Sequence, residues 1–139
     1  MFVRVQAHEM KPIMNCYANE DMVNGAPAAY TAYGKLAKAN AETKYIVVSA
    51  ENFDGINACI EPTDADHETI KAGALCLRFP MEVGDVIATD QITATSLNIG
   101  DHLVPKAGKF IKSDSATAYV YAGAYENPWG LDMHRVECI

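Results

Sequence analysis

Two aspartates occur in the same sequence setting, and together they are candidates for chemistry. Asp85 follows Val83-Gly84, and Asp101 follows Ile99-Gly100 and is itself followed by His102. Carboxylates that converge with a histidine can hold a metal ion or transfer protons during hydrolysis. The repeated apolar-Gly-Asp pattern therefore raises the hypothesis of a small enzyme that uses Asp85, Asp101 or His102.

A sheet corner accounts for both Gly-Asp pairs without any ligand. Glycine adopts the backbone angles of a tight turn, and an aspartate can accept a hydrogen bond from a nearby backbone amide. No second carboxylate, histidine or basic residue stands at a recognisable catalytic spacing from either pair. We therefore predict two structural corners at residues 83–85 and 99–101, no catalytic residues, and a protein that is not an enzyme.

Other residue patterns that bind metals or phosphates are incomplete. The acidic stretch at residues 64–68 lacks the calcium-loop glycine and glutamate, because Thr69 and Leu75 stand at those positions. The chain also lacks a phosphate-binding glycine motif and the glycine-flanked serine of esterases. We expect no metal and no cofactor.

The four cysteines occur singly along the chain, at Cys16, Cys59, Cys76 and Cys138. No two of them form a C-x-x-C pair, and three stand inside apolar runs, so we predict reduced, buried thiols. A zinc site built from distant parts of the chain is the alternative.

Charge and hydropathy exclude two classes of partner. The 139 residues carry a formal net charge of -7, with a sequence pI near 4.9, and such a field repels the phosphates of nucleic acids. The N-terminal residues contain no apolar run of the length that a signal peptide needs, and no apolar stretch reaches membrane-spanning length. We expect a protein made in the cytoplasm that binds neither nucleic acid nor membranes.

Turn signals recur at short intervals and separate short apolar segments, which is typical of a β-barrel or sandwich. We predict one all-β domain over residues 1–139, with a candidate N-terminal extended arm at 1–19 and a barrel at 20–139. Residues 31–43 are interpreted as a strand, a turn at Gly34 and a strand, with a short helix as the alternative. The other predicted strands lie at 2–6, 14–17, 45–50, 56–60, 75–79, 86–87, 91–95, 102–104, 109–111, 116–121 and 133–139.

Aromatic residues are the remaining candidates for a binding surface. Tyr119 and Tyr121 stand two residues apart, so on a strand they share one face, and Trp129 is the lone tryptophan. Such side chains are typical of interface anchors or sugar platforms. Packing over the end of the barrel is the alternative interpretation.

The order of these segments resembles a known class of protein. Asn24-Gly25-Ala26-Pro27 is followed by the strand at 45–50, the two Gly-Asp corners, Ala107-Gly108-Lys109-Phe110, and a final Arg135-Val136 strand. Over residues 20–139 this order resembles the small β-barrel or β-tulip decoration proteins of tailed bacteriophages, also called cement or head auxiliary proteins.

This resemblance implies a virion protein on the outside of an assembled capsid. Its implied partner is the major capsid protein, with self-association as a trimer, or a monomer, as the two oligomeric alternatives. It implies no catalytic residue. Termini commonly form binding arms and strands can add to a partner's sheet, so the candidate contact residues are Phe2, Val3, Val5, Tyr119, Tyr121 and Trp129. The alternative is a fibre or tail component, or a module that binds cell-surface glycans through Tyr119, Tyr121 and Trp129.

Overall fold

The computed structural model describes residues 2–6, 13–32, 34–49, 69–128 and 130–139, and the regular structure in these ranges is entirely β-strand. No helix in these ranges is long and apolar enough to cross a membrane. The strands are β1 (Phe2–Gln6), β2 (Ile13–Ala18), β3 (Met22–Val23), β4 (Pro27–Ala32), β5 (Lys35–Lys38), β6 (Tyr45–Ser49), β7 (Thr69–Ile70), β8 (Leu75–Pro80), β9 (Val86–Thr89), β10 (His102–Lys106), β11 (Lys109–Lys112), β12 (Tyr119–Tyr125) and β13 (Met133–Cys138).

Five strands close into a small barrel, in the order β2-β5-β4-β6-β8. Strands β2 and β5 are parallel and the other neighbours are antiparallel. A barrel of so few strands is narrow, so small side chains fill it. Its buried core consists mainly of such side chains: Cys16, Ala18, Ala26, Ala28, Val47 and Cys76, with Met22, Leu36 and Ile70.

Six further strands form an antiparallel sheet in the order β1-β9-β13-β12-β10-β11. Strands β6 and β8 join this sheet to the barrel because side chains alternate between the two faces of a strand. Val47 and Cys76 point into the barrel core. Their neighbours Ile46, Val48, Leu77 and Phe79 pack in a second core with Leu103, Phe110, Tyr119 and Val136 of the sheet. The barrel and the sheet therefore share one wall.

The six-stranded sheet contains an internal repeat. The central pair is β12–β13, with β9 beside β13 and β10 beside β12. Two rows of paired residues cross these strands. One row runs from Ile87 on β9 through Val136 on β13 to Tyr121 on β12. The other row runs from Leu103 on β10 through Tyr119 on β12 to Cys138 on β13. All six belong to the shared core. A twofold rotation between β12 and β13 therefore exchanges β9 with β10 and preserves the buried face.

The prediction of an all-β barrel fold is confirmed. Residues 31–43 contain the predicted turn, since β4 and β5 pair as a hairpin around Gly34, whose φ is 71°. The predicted strand at 91–95 is wrong. Only Ile92 forms an isolated bridge there, to Phe110. The predicted strand at 56–60 lies outside the described residues.

Within the predicted N-terminal arm at 1–19, the described residues form two strands. Residues 2–6 form β1 and pair with β9 at one edge of the six-stranded sheet. Residues 13–18 form β2, which lies between β5 and β8 in the barrel wall. Each segment satisfies backbone hydrogen bonds within this chain. The remainder of the predicted arm lies outside the described residues.

Candidate functional site

The first Gly-Asp pair forms a capped turn at the start of β9. Gly84 has a φ of +95°, and the Asp85 N–H donates to the Glu82 carbonyl at 2.9 Å. The Asp85 carboxylate accepts a hydrogen bond from the Glu82 N–H at 2.8 Å. Gly84 N–H also donates to the Cys138 carbonyl, and the Cys138 N–H donates to the Asp85 carbonyl. The turn is therefore fixed both to itself and to β13.

The second Gly-Asp pair repeats this geometry before β10. Gly100 also has a φ of +95°, and the Asp101 carboxylate accepts from the Asn98 N–H at 2.9 Å. Tyr121 here takes the place of Cys138, since it accepts from the Gly100 N–H and donates to the Asp101 carbonyl. Tyr121 and Cys138 are also the residues that the internal twofold exchanges. The corner interpretation of both pairs is confirmed.

Asp101 differs from Asp85 in its exposure and in its neighbours. The Lys112 ammonium lies 3.4 Å from the Asp101 carboxylate. The backbone hydrogen bond from Asn98 is the largest effect and holds the pKa of Asp101 below its usual value. Desolvation opposes this effect, and the charge of Lys112 lowers the pKa further. Asp85 is buried. Both aspartates therefore use their carboxylates to stabilise the turn backbone.

The two corners present apolar side chains to solvent. Val83 is 81% exposed and Ile99 is 77% exposed. Each precedes the glycine of its turn, where the side chain projects from the turn. The most exposed large apolar residues that the structure describes therefore stand at equivalent positions of the internal repeat, on rigid backbone. Sequence reasoning identified the apolar-Gly-Asp pattern of these corners but did not propose Val83 or Ile99 as contact residues.

His102 follows Asp101 in sequence, is the first residue of β10, and is held by the loop before β12. Its Nδ1 lies 3.1 Å from both the backbone nitrogen and the carbonyl oxygen of Thr117. Within the described ranges, no group of three His, Cys, Asp or Glu side chains is placed to hold a metal ion. The Asp85 and Asp101 carboxylates bind the backbone of the two corners, and His102 contacts the backbone of Thr117.

Tyr119 and Tyr121 share a face, as predicted, but that face is the buried one. Both lie in the core between the barrel and the sheet. The Tyr119 hydroxyl donates to the Thr43 carbonyl, and burial raises the pKa of Tyr119. These two residues cannot form an exposed sugar platform or contact surface, and this expectation is corrected. Burying aromatic rings at the centre of the sheet stabilises the fold more than exposing them would.

Three of the other predicted contact residues lie on the edge strand β1. Val5 lies on β1 and is 41% exposed. Phe2 and Val3 lie on the same edge strand, and only their backbone is described. Trp129 lies outside the described residues.

Tyr121 takes part in a polar chain that sequence reasoning missed. Its hydroxyl lies 2.8 Å from His134 Nδ1, and His134 Nε2 lies 2.8 Å from the exposed Asp132 carboxylate. Residues 124–127 and 130–133 line an open depression of about 430 Å³ next to this chain. The signal was available in sequence only as Asp-x-His, which is too common to indicate a site. These hydrogen-bonded side chains connect a core tyrosine to the surface.

A second cluster missed in the sequence lies on the barrel. The Arg78 guanidinium stands 4.7 Å from the centroid of the Tyr30 ring and 5.2 Å from that of Tyr45. The two rings contact each other edge to face at 5.4 Å, and Lys44 Nζ lies 5.5 Å from the Tyr45 ring centroid. These residues come from three strands and one loop, so no local spacing could indicate them.

Three cysteines are free and buried, as predicted for Cys16, Cys76 and Cys138. Burial raises the pKa of Cys76 to about 12, and the neighbouring Cys16 adds to the effect. Burial also raises the pKa of Cys16 and of Cys138. Thiolates are therefore scarce at neutral pH, and these cysteines act as apolar side chains. Cys59 lies outside the described residues.

Comparison with known proteins yields no relative. No family model matches the sequence, and no curated protein and no solved structure matches it significantly.

Proposed function

We propose that this chain is a non-enzymatic structural protein that binds the outer surface of an assembled bacteriophage capsid and stabilises it. The observation that carries its binding role is the pair of exposed apolar side chains, Val83 and Ile99, at the two equivalent corners. Each corner is held by hydrogen bonds to the neighbouring strand. Apolar side chains on such fixed turns lose little conformational entropy on docking, so more of the free energy of burying them remains for binding.

The capsid as partner follows from the sequence resemblance to decoration proteins. The fold is compatible with it, because a rigid barrel and sheet with a shared core can resist deformation when bound to a shell. Many copies that each contribute a modest contact would stabilise a shell collectively. An acidic surface would keep decorated particles apart in solution.

The glycan-binding alternative loses support from two of its three residues. Tyr119 and Tyr121 are buried in the shared core and cannot stack against a sugar without unfolding the sheet. We therefore base the contact surface on Val83 and Ile99 rather than on the tyrosines.

The test is co-sedimentation of the purified protein with shells of the encoding virus that were assembled without it, together with a heat-stability assay of those shells. We expect saturable binding at a fixed number of copies per shell, and shells that survive at higher temperature. Absence of binding would reject the capsid proposal.

Corner variants locate the contact surface. Val83→Asp and Ile99→Asp should each weaken shell binding by about ten- to a hundredfold, since burying such a side chain contributes about 1.5–3 kcal/mol. Both variants should fold because the side chains are exposed. Leu75→Asp is the matched control, since Leu75 is an exposed apolar residue on the barrel strand β8. Equal losses in all three variants would contradict a contact at the corners.

A further inference from the structure

Arg78 is a half-buried cation that has no anionic partner among the described residues. No described carboxylate lies within ion-pair distance of its guanidinium, whereas the described Lys38 and Lys112 each have a carboxylate partner. Its Nε atom is buried and has no hydrogen-bond partner among the residues that the structure describes. Buried polar groups are nearly always paired, so an orphaned donor on a charged group calls for an explanation.

The position of Arg78 is set by the alternation of the barrel strands. It is two residues from the core residue Cys76 on β8 and lies directly opposite the buried Val47 of β6. Tyr45 is likewise two residues from Val47, at the first residue of β6. Arg78 and Tyr45 therefore continue the interior face of the barrel toward the end where β6 begins.

Two aromatic rings lie against the guanidinium. Tyr30 and Tyr45 contact it at 4.7 and 5.2 Å, within the range of cation–π attraction. These contacts engage the π face of each ring and satisfy no N–H donor. A planar guanidinium positioned in this way keeps its N–H groups for an acceptor.

Solvent reaches this end of the barrel. Tyr30 is 41% exposed, and Lys44, beside Tyr45, is exposed. The cluster thus combines a guanidinium between two aromatic rings, a second positive charge and an accessible aromatic ring. The chain as a whole carries a net charge of -7, so this cationic site differs in sign from the net charge of the protein.

We propose that Arg78, positioned by Tyr30 and Tyr45 and assisted by Lys44, is a binding site for a carboxylate. A carboxylate matches one guanidinium in charge and in its two-oxygen geometry. Its source is either an acidic side chain on another protein or a free small molecule. The Arg78 site does not depend on the capsid proposal, because it lies on the barrel and the two corners belong to the six-stranded sheet.

The experiment follows the Arg78 Nε–H signal by ¹H–¹⁵N NMR of the full chain. A buried Nε–H exchanges slowly with water, and Arg78→Lys assigns the signal by removing it. The probes are sodium acetate, with sodium chloride at equal ionic strength as its control, and a capped tetra-glutamate peptide, with tetra-glutamine as its control. We expect a saturable shift of the Arg78 signal with both carboxylate probes and no shift with either control.

Arg135 provides an internal control in the same spectra. Its Nε is also buried without a hydrogen-bond partner among the described residues, but it lies on β13 of the other sheet. An Arg135 shift as large as that of Arg78, or an unmoved Arg78 signal with both carboxylates, would overturn the site. Binding of the peptide at least about tenfold tighter than acetate would identify a protein segment as the source, through the added charge of Lys44. Equal affinities would identify a free carboxylate.

Two variants test the proposed roles, with affinities measured from the amide signals of β4, β6 and β8. Arg78→Lys keeps the charge but loses the planar fork, so it should bind the peptide about tenfold more weakly or worse. Tyr30→Leu removes the more exposed ring and should also weaken binding, because the guanidinium loses a positioning contact. Unchanged affinity in both variants would contradict the site.

Discussion

Asp101 shows how one carboxylate can stabilise a turn while remaining accessible to solvent. Its oxygen accepts the Asn98 N–H at 2.9 Å, and Lys112 lies 3.4 Å away. Both contacts favour the charged form, which lowers the pKa of Asp101 relative to an unfolded chain. Asp101 thus has a structural role in its turn. The Gly-Asp sequence pattern alone does not separate this role from a catalytic one.

The lowered pKa of Asp101 predicts an acid-dependent contribution to stability. A carboxyl whose folded pKa is depressed contributes stability above its unfolded pKa, about 3.9 for Asp, and loses it as pH falls through the folded pKa. We therefore expect Asp101→Asn to be less stable than the wild type at pH 7 and to approach it at pH 3 and below. Urea unfolding at the two pH values measures this difference. Asp114→Asn, in the exposed loop after β11, serves as the control, and a deficit that is equal at both pH values would contradict this role of Asp101.

The two corners position the strands on either side of the centre of the six-stranded sheet. Each begins a strand that flanks the central β12–β13 pair, and each fixes that strand through the same hydrogen bonds. Gly84 and Gly100 share a φ of +95°, and an added Cβ would meet no atom within 4 Å at either one. Any cost of substitution is therefore conformational rather than steric.

The internal repeat predicts matched effects at the corners. Gly84→Ala and Gly100→Ala should each lower the free energy of unfolding by about 1–2 kcal/mol, since L-residues disfavour positive φ. The double variant should show the sum of the two effects, because the turns lie on different strands. Urea denaturation measures all three, and Val83→Ala, at an exposed side chain, is the control. A large effect at one corner only would mean that the two turns are not equivalent in energy.

At the scale of the whole molecule, the barrel and the six-stranded sheet share one wall, and we expect them to unfold together. Strands β6 and β8 contribute Val47 and Cys76 to the barrel core and Leu77 and Phe79 to the shared core. Neither layer can lose these strands and keep its own core. The shared wall therefore couples the unfolding of one layer to that of the other.

Thiol reactivity along a urea titration tests this coupling. Cys76 reports on the barrel core and Cys138 on the shared core, and both are buried and free. Burial raises the pKa of both thiols, so alkylation at neutral pH should be slow in the native state. We expect both to become reactive at the same urea concentration, as followed by mass spectrometry of the labelled peptides. Exposure of Cys76 at a lower concentration would mean that the barrel opens separately.

Phe79→Ala extends the same test, since it should lower the free energy of unfolding by about 3–5 kcal/mol. Both thiols should then become reactive at the same, lower urea concentration. Earlier exposure of one thiol alone would contradict a shared wall.

Local patterns in the sequence were sufficient for the all-β class, for the turns at Gly34, Gly84 and Gly100, and for buried free thiols at three of the four cysteines. These features depend on a glycine's backbone freedom, on alternation along a strand and on apolar context, all of which extend over a few residues. They are therefore readable from the chain alone.

The tertiary structure decided which face of each strand is buried and which distant residues meet. Tyr119 and Tyr121 share a face in either case, but only the packing of the sheet against β6 and β8 turns that face inward. Arg78, Tyr30 and Tyr45 come together because the barrel closes. Contacts of this kind depend on strand order and register, which arise from the packing of the whole chain and have no local signature in the sequence.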